Sequence, residues 1–456
     1  MKPFRLLIAV ALLGGLGGLV WWSNRAEKAK EGQPAKDAPP KILSLAAGTV
    51  KQIDIKRREG ERTSVRLSGS DKWEITSPKV LPADPAAVIG ITSTASNLTA
   101  DRVVDENVEN ATDLASYGLA PALLEVTLGT TDGKSTRLLI GDTTPAGSNV
   151  YAKLDGNPRL FVMPSYSKSA FDKVAQDLRD KRLMSFTQEK ISRIELTARK
   201  QTFEFGKVSD TQWQIVKPKP MRADGLQVDE LIAKLKGAQM DPGTTDASAK
   251  ADAAKFAAGT VAGIAKVTDS VGTQTLEVRK SKEDYYAKSS AVEGVYKVGK
   301  EVGEALDKAL DDFRNKKLFD FGFNDPTKVD VKDGDKTLSV RKDNAKWLGS
   351  ASGNKEMDST SVQAFIDRLR DLSAAAFAEK GFTTPAVTIT VASSDGKRTE
   401  KVEISQAAGG MHFLARRDDD SSLYELGADT VKELRQAVGD VREAQSGAKD
   451  KAGKKK

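Results

Sequence analysis

At 456 residues, with 39% hydrophobic and 30% charged side chains, the chain has the composition of an ordinary folded protein with room for roughly two to four domains. It contains no cysteine, which excludes disulfides, thiolate nucleophiles and Cys-ligated metals. The net charge of +7 sits at the ends: residues 1–41 and 442–456 carry about +4 each, and the body between them is close to neutral. That distribution suits solvated tails and lipid headgroups and argues against nucleic acid as a partner.

After Lys2 and Arg5 comes an uncharged run from Leu6 to Trp22. Leu6, Leu12, Leu13 and Leu19 make it apolar, and Trp21-Trp22 ends it with an interfacial pair, so residues 1–24 are expected to form a cytoplasmic tip and a transmembrane anchor. A cleaved signal peptide fits less well, because it has a shorter apolar core and a small-x-small cleavage site. Gly14 and Gly18 form a GxxxG pair that would let two anchors pack together, although glycines in a short apolar run also occur without that role. Residues 25–40, with Gly32, Pro34, Pro39 and Pro40, read as a linker.

The body is organised by a repeated junction. Leu178-Arg179-Asp180-Lys181-Arg182-Leu183-Met184-Ser185-Phe186 returns as Phe313-Arg314-Asn315-Lys316-Lys317-Leu318-Phe319-Asp320-Phe321. Internal similarity of this kind marks tandem units, here 41–183, 184–318 and 319–441, followed by a disordered basic tail, 442–456. Each unit opens with alternating runs: Ile53-Asp54-Ile55 and Val65-Arg66-Leu67 in the first, Ile194-Glu195-Leu196 and Phe203-Glu204-Phe205 in the second, Val329-Asp330-Val331 and Leu338-Ser339-Val340 in the third. Period-two alternation predicts an antiparallel meander with one buried face. Trp73, Trp213 and Trp347 close these meanders at one recurring place and are expected in the repeat cores.

A capped helix follows in each unit. Asp84-Pro85, Asp224-Gly225 and Asp358-Ser359 supply the starts, and Val228-Leu231-Ile232-Leu235 and Val362-Phe365-Ile366-Leu369 supply one-sided apolar stripes. Hairpins return the chain to the sheet across Asp132-Gly133 and Asp395-Gly396. Closing helices are predicted over 167–179, 301–314 and 429–437. The expected fold is therefore α+β: a transmembrane helix, then three tandem repeats, each an antiparallel meander and hairpin sheet with two packed helices.

No chemistry stands out. Gly129-Thr130-Thr131-Asp132-Gly133-Lys134-Ser135 resembles a phosphate-binding loop, but it has three residues between its glycines and leads into a strand, so a hairpin turn is the better reading. His412 is the sole histidine and lies on a predicted strand. Asp418-Asp419-Asp420 lacks the spaced carboxylates of a calcium loop. No catalytic, cofactor-binding or metal residues are assigned, and no cofactor is expected.

The pattern is similar to a bacterial family catalogued as domain of unknown function 4340. The carriers are Ile42-Leu43-Ser44-Leu45, Asp71-Lys72-Trp73-Glu74-Ile75, Pro82-Ala83-Asp84, Tyr117-Gly118-Leu119-Ala120-Pro121, Leu139-Ile140-Gly141-Asp142, Val150-Tyr151-Ala152 and Leu178-Arg179-Asp180-Lys181-Arg182-Leu183. They lie mainly in the first unit; the third keeps only Lys380-Gly381-Phe382-Thr383-Thr384-Pro385 of the Tyr-Gly-Leu stretch. The resemblance carries no active site. It implies an accessory envelope role, since members are often encoded beside ABC-type export components, including those resembling gliding-motility transporters. The expectation is a non-enzymatic protein of the bacterial inner membrane, single-pass with its body in the periplasm, contacting the membrane through its N-terminal helix and ABC-type transporter subunits or other envelope proteins through its repeats. The alternative is a wall- or glycan-directed binding or hydrolytic module using a cleft between repeats.

Overall fold

The computed structural model describes residues 39–445, apart from loop positions 47, 70–71, 109–110, 210–211, 323–325, 351–352, 395 and 411. Leu6, Leu12, Leu13, Leu19, Trp21, Trp22, Gly14 and Gly18 lie outside the described residues, as does the tail from residue 446. The chain divides into two compact units, one ending at Lys181 and one beginning at Arg182. The first contains repeat one, and the second contains repeats two and three.

In the first unit, alternating sequence becomes a nine-stranded antiparallel sheet. Its spatial order is Leu81–Pro82, Lys72–Ser77, Thr63–Ser68, Val50–Arg57, Leu124–Thr130, Ser135–Thr143, Asn149–Leu154, Leu160–Pro164 and Arg102–Asp105. Ile53, Ile55, Val65, Val126, Leu138 and Ile140 point to one face and are wholly buried. Side chains two apart share a face, so polar residues between them are turned to the other side. The helix Pro85–Ser96 lays Val88, Ile91 and Ala95 on the apolar face. Asp84 caps it, accepting from the Ala86 N–H at 2.9 Å. A separate two-stranded ladder joins Lys41–Leu43 to Leu98–Thr99.

The same strand order recurs twice in the second unit. Repeat two forms an eight-stranded sheet centred on Arg193–Ala198 and Thr260–Thr268, and repeat three a nine-stranded sheet centred on Lys328–Asp333 and Val387–Ser393. Asp224 and Asp358 cap their helices as Asp84 does, accepting from Leu226 and Gln227 and from Ser361. Repeat two lacks the last edge strand. Asp241 makes its first hydrogen bond, to Lys297 O at 2.9 Å, but Pro242 follows and has no N–H to continue a ladder. The chain turns instead into the helix Asp246–Ala258.

Two features correct the α+β expectation. The described chain is predominantly antiparallel β, in four sheets, and no helix among the described residues is long and apolar enough to cross a membrane. Nor does each repeat carry simply two helices on one face. The predicted closing helix over 167–179 breaks into Ser165–Phe171 and Ala175–Leu178, because the Asp177 carboxylate accepts from the Val174 N–H at 2.9 Å and starts a new turn. In repeat two Asp312 does the same to Ala309 at 2.7 Å, and the second piece is a 3₁₀ turn.

A further layer also covers part of the opposite face. In repeat one, Leu114, Tyr117 and Leu119 pack there with Leu139, Tyr151 and Leu160. In repeat two, Phe256 of the helix Asp246–Ala258 meets Tyr286 and Val295. In repeat three the loop after residue 380 takes that place, with Phe382 under Arg416 at 4.5 Å.

Candidate functional site

The motifs singled out from sequence resolve mostly into structure. Trp213 and Trp347 are buried in their repeat cores, and Trp73 is partly buried against the first core. The phosphate-loop look-alike is a turn between strands Leu124–Thr130 and Ser135–Thr143, with Gly133 at φ +82°. Asp132 accepts from Thr130 Oγ1 at 2.6 Å, and hydrogen bonds from Thr130 and Lys134 hold its carboxyl down at about 2. His412 is half-buried just ahead of the strand Phe413–Arg417. Among the described residues no group of three or more His, Cys, Asp or Glu is placed to hold a metal ion.

The first repeat gathers its motif residues in one place. Gly118 has φ +69°, and a Cβ there would overlap the Asp142 carboxyl; a Cβ on Gly141 would overlap Tyr117 O. That close approach lets the Asp142 N–H donate to Tyr117 O at 2.9 Å. Arg58 donates to Gly118 O at 2.8 Å and lies 3.6 Å from Asp142, while the Tyr117 and Tyr151 rings meet at 4.8 Å. In repeat three the direction is reversed: Thr383, beside Gly381 at φ +109°, donates its N–H to Ser405 Oγ at 3.1 Å and its hydroxyl to Gln406 O at 2.9 Å.

One carboxylate pair is unmatched between repeats. Asp54 faces Ser64 and Asp330 faces Ser339, each joined by a hydroxyl hydrogen bond, whereas repeat two places Glu195 opposite Glu204. Lys266 at 2.6 Å from Glu195 and Lys217 at 2.9 Å from Glu204 neutralise them separately. The Lys266 hydrogen bond holds the Glu195 carboxyl below its usual range, which suits an ion pair and opposes general-acid use.

A dense polar cluster belongs to the second unit and is not visible in the sequence. It surrounds the irregular segment that enters each repeat, residues 183–185 in repeat two and 318–320 in repeat three. In repeat two, Gln274 accepts from the Ser185 N–H at 2.9 Å and donates to Ser185 O at 3.1 Å, while Ser289 donates to Leu183 O. Strand register puts Glu400 and Arg417 at the same places in repeat three. Glu400 accepts from the Asp320 N–H at 2.8 Å, and Arg417 donates to Leu318 O. An amide and a hydroxyl in one repeat have become an ion pair in the next.

That ion pair is buried, with the Arg417 side chain 1% and the Glu400 side chain 2% exposed. Arg417 reaches Glu400 at 3.1 Å and holds Asp419 through two hydrogen bonds of 2.6 and 2.7 Å. Burial opposes its charge, yet Asp419, Asp320 and Glu400 outweigh burial and push its pKa up. The Arg417 hydrogen bonds hold the Asp419 carboxyl below its ordinary value.

Repeat two reaches into this cluster through Arg222. Its guanidinium donates to Lys317 O at 2.7 Å, to Tyr424 Oη at 3.0 Å and to Asp320. Tyr424 Oη donates in turn to Asp420 at 2.5 Å, and burial pushes the phenol's pKa up. Arg314 stacks on Phe377 at 3.4 Å across the same junction. Beside the cluster lies a cleft of about 330 Å³ lined by Gln214, Pro220, Met221, Arg222, Asp419, Asp420 and Ser421.

The model of the domain of unknown function DUF4340 matches residues 73–212 and 213–386. These matches cover well over half of the chain. The chain belongs to this family. Each match opens on a tryptophan of the recurring set, Trp73 and Trp213, so a DUF4340 copy runs from one repeat into the start of the next. No curated protein matches the chain. A solved chain described as a DNA polymerase III beta subunit from Eubacterium rectale overlaps 86% of this chain and 94% of its own at 9% identity, with a TM-score of 0.15. That overlap is too slight to carry a fold or a function.

Proposed function

We propose that this DUF4340 protein is a non-enzymatic scaffold of the bacterial cell envelope. Its repeats act on the periplasmic side of the inner membrane, as an accessory to an ABC-type transport or gliding-like system. The observation that carries this reading is the reuse of one clasp at successive repeats. Gln274 with Ser289, and Glu400 with Arg417, both direct their polar groups at the main chain of the segment that enters the repeat. Buried charged groups committed to each other and to backbone stabilise one arrangement of repeats two and three. Repeats held in this way present fixed faces to a partner, which is what an accessory protein requires.

The placement in the envelope is supported by the family resemblance and by the basic ends flanking a neutral body. Crosslinking in intact native membranes, read by mass spectrometry, tests the reading, with a form lacking residues 1–24 as control. Reproducible crosslinks from the repeats to integral transporter subunits, lost in the shortened form, are the expected result. Recovery of no envelope protein would remove the scaffold role.

A further inference from the structure

A half-open cleft lies beside the junction of repeats two and three. Its walls come from separate repeats: Gln214, Pro220, Met221 and Arg222 from the edge of one sheet, and Asp419, Asp420 and Ser421 from a hairpin of the next. At about 330 Å³ it lies near the small end of ligand pockets, about 300–1,000 Å³.

The polar groups of the lining are already held in position. Arg222 is fixed by Asp320 and Tyr424, and Asp419 by the two-point grip of Arg417. Asp420 is fixed from two sides, by the Ser422 N–H at 3.0 Å and by Tyr424 Oη at 2.5 Å. A guanidinium with five N–H groups and carboxylates with several lone pairs keep capacity beyond these bonds. Gln214 adds an amide and Ser421 a hydroxyl. Preorganised donors and acceptors bind without first losing rotamer entropy.

The balance of charge selects the ligand. Two carboxylates face one guanidinium that is itself bound to Asp320, so an anion such as a phosphate is disfavoured. Mixed donors and acceptors beside the exposed Pro220, with the Met221 side chain turned into the repeat-two core, match a ring that carries hydroxyls on its rim and C–H groups on its face. We propose that this cleft is a binding site for one pyranose unit of a neutral glycan.

The test is calorimetric titration of the full chain with chitotetraose, alongside Gln214→Ala and Ser421→Trp. The first removes the amide without touching the buried ion cluster, and the second fills the mouth from an exposed hairpin position. Saturable binding, weakened about tenfold by Gln214→Ala (about 1.4 kcal/mol) and abolished by Ser421→Trp at unchanged melting temperature, is the expected result. Absence of binding, binding indifferent to both variants, or response to a tetralysine peptide in place of the glycan would overturn the proposal. The crosslinking result does not depend on the cleft, so the two readings fail separately.

Discussion

Arg222, on a two-residue edge strand of repeat two, donates a 3.0 Å hydrogen bond to the phenolic oxygen of Tyr424 in repeat three. Tyr424 donates its own hydroxyl hydrogen bond to Asp420 in turn. Replacing Tyr424 with Phe keeps the ring in the core and removes this relay, at an expected cost of about 1–3 kcal/mol for the partners left without it. Chemical denaturation of the full chain, compared with the parent, reads the loss; an unchanged midpoint would show that the relay does not hold the repeats.

The clasp makes a sharper contrast. Arg417→Ala leaves the buried Glu400 carboxylate with Arg398, at 3.3 Å and half-exposed, as its charged partner, and removal of one partner of a buried pair costs up to about 3–5 kcal/mol. Writing the repeat-two solution into repeat three, with Glu400→Gln and Arg417→Ser together, should cost markedly less, because the two fully buried charges leave together and Asp419, which loses Arg417, is half-exposed. Equal destabilisation of the two variants would show that the equivalence with Gln274 and Ser289 is geometric only.

The docking of Tyr117 on Asp142 depends on two missing side chains. Gly118→Ala is expected to destabilise repeat one by more than about 1 kcal/mol, since it adds both a left-handed backbone penalty and an overlap with the Asp142 carboxyl. Adding Asp142→Ala removes the overlap and keeps the backbone penalty, so the double variant should recover part of the loss. Hydrogen exchange at the Asp142 amide, bonded to Tyr117 O, reports the contact directly.

Each Asp cap is a separate and smaller contribution. Asp224→Ala leaves the Leu226 and Gln227 N–H groups without their acceptor and should cost about 1 kcal/mol. Asn, which also caps well, should restore most of it, and failure of Asn to do so would point to charge as the cause.

Asp132 supplies a pH prediction with a definite sign. Its folded pKa of about 2 lies below the ordinary 3.8, so the Thr130 and Lys134 interactions contribute fully above the ordinary value. They are lost as pH falls through about 2. An NMR titration of the Asp132 carboxyl with a midpoint near 3.8 would remove this account of the turn.

Much of this architecture follows from local pattern. Alternation at Ile53-Asp54-Ile55 sets which face of a strand is buried, Asp84 sets where a helix starts, and Asp132-Gly133 sets a turn, because each acts through neighbours a few residues away. The repeat itself was legible because its junctions are written twice. The helix Asp246–Ala258 leaves little trace in the sequence because it is rich in Ala, Lys and Asp and buries little beyond Phe256, so its apolar stripe is almost absent. The closing helices of repeats one and two are broken by Asp177 and Asp312, whose side chains compete for backbone N–H groups in a way that apolar periodicity does not register. The fold decided the rest. Ser289 meets Leu183 across 106 residues, Arg222 meets Tyr424 across 202, and no periodicity in a single chain encodes which polar side chains converge when sheets close at that range. Sequence alone determined the strands, caps and repeats through local sterics and hydrogen bonding; only tertiary packing decided that an ordinary Arg, Glu and Tyr would become a buried clasp beside a cleft.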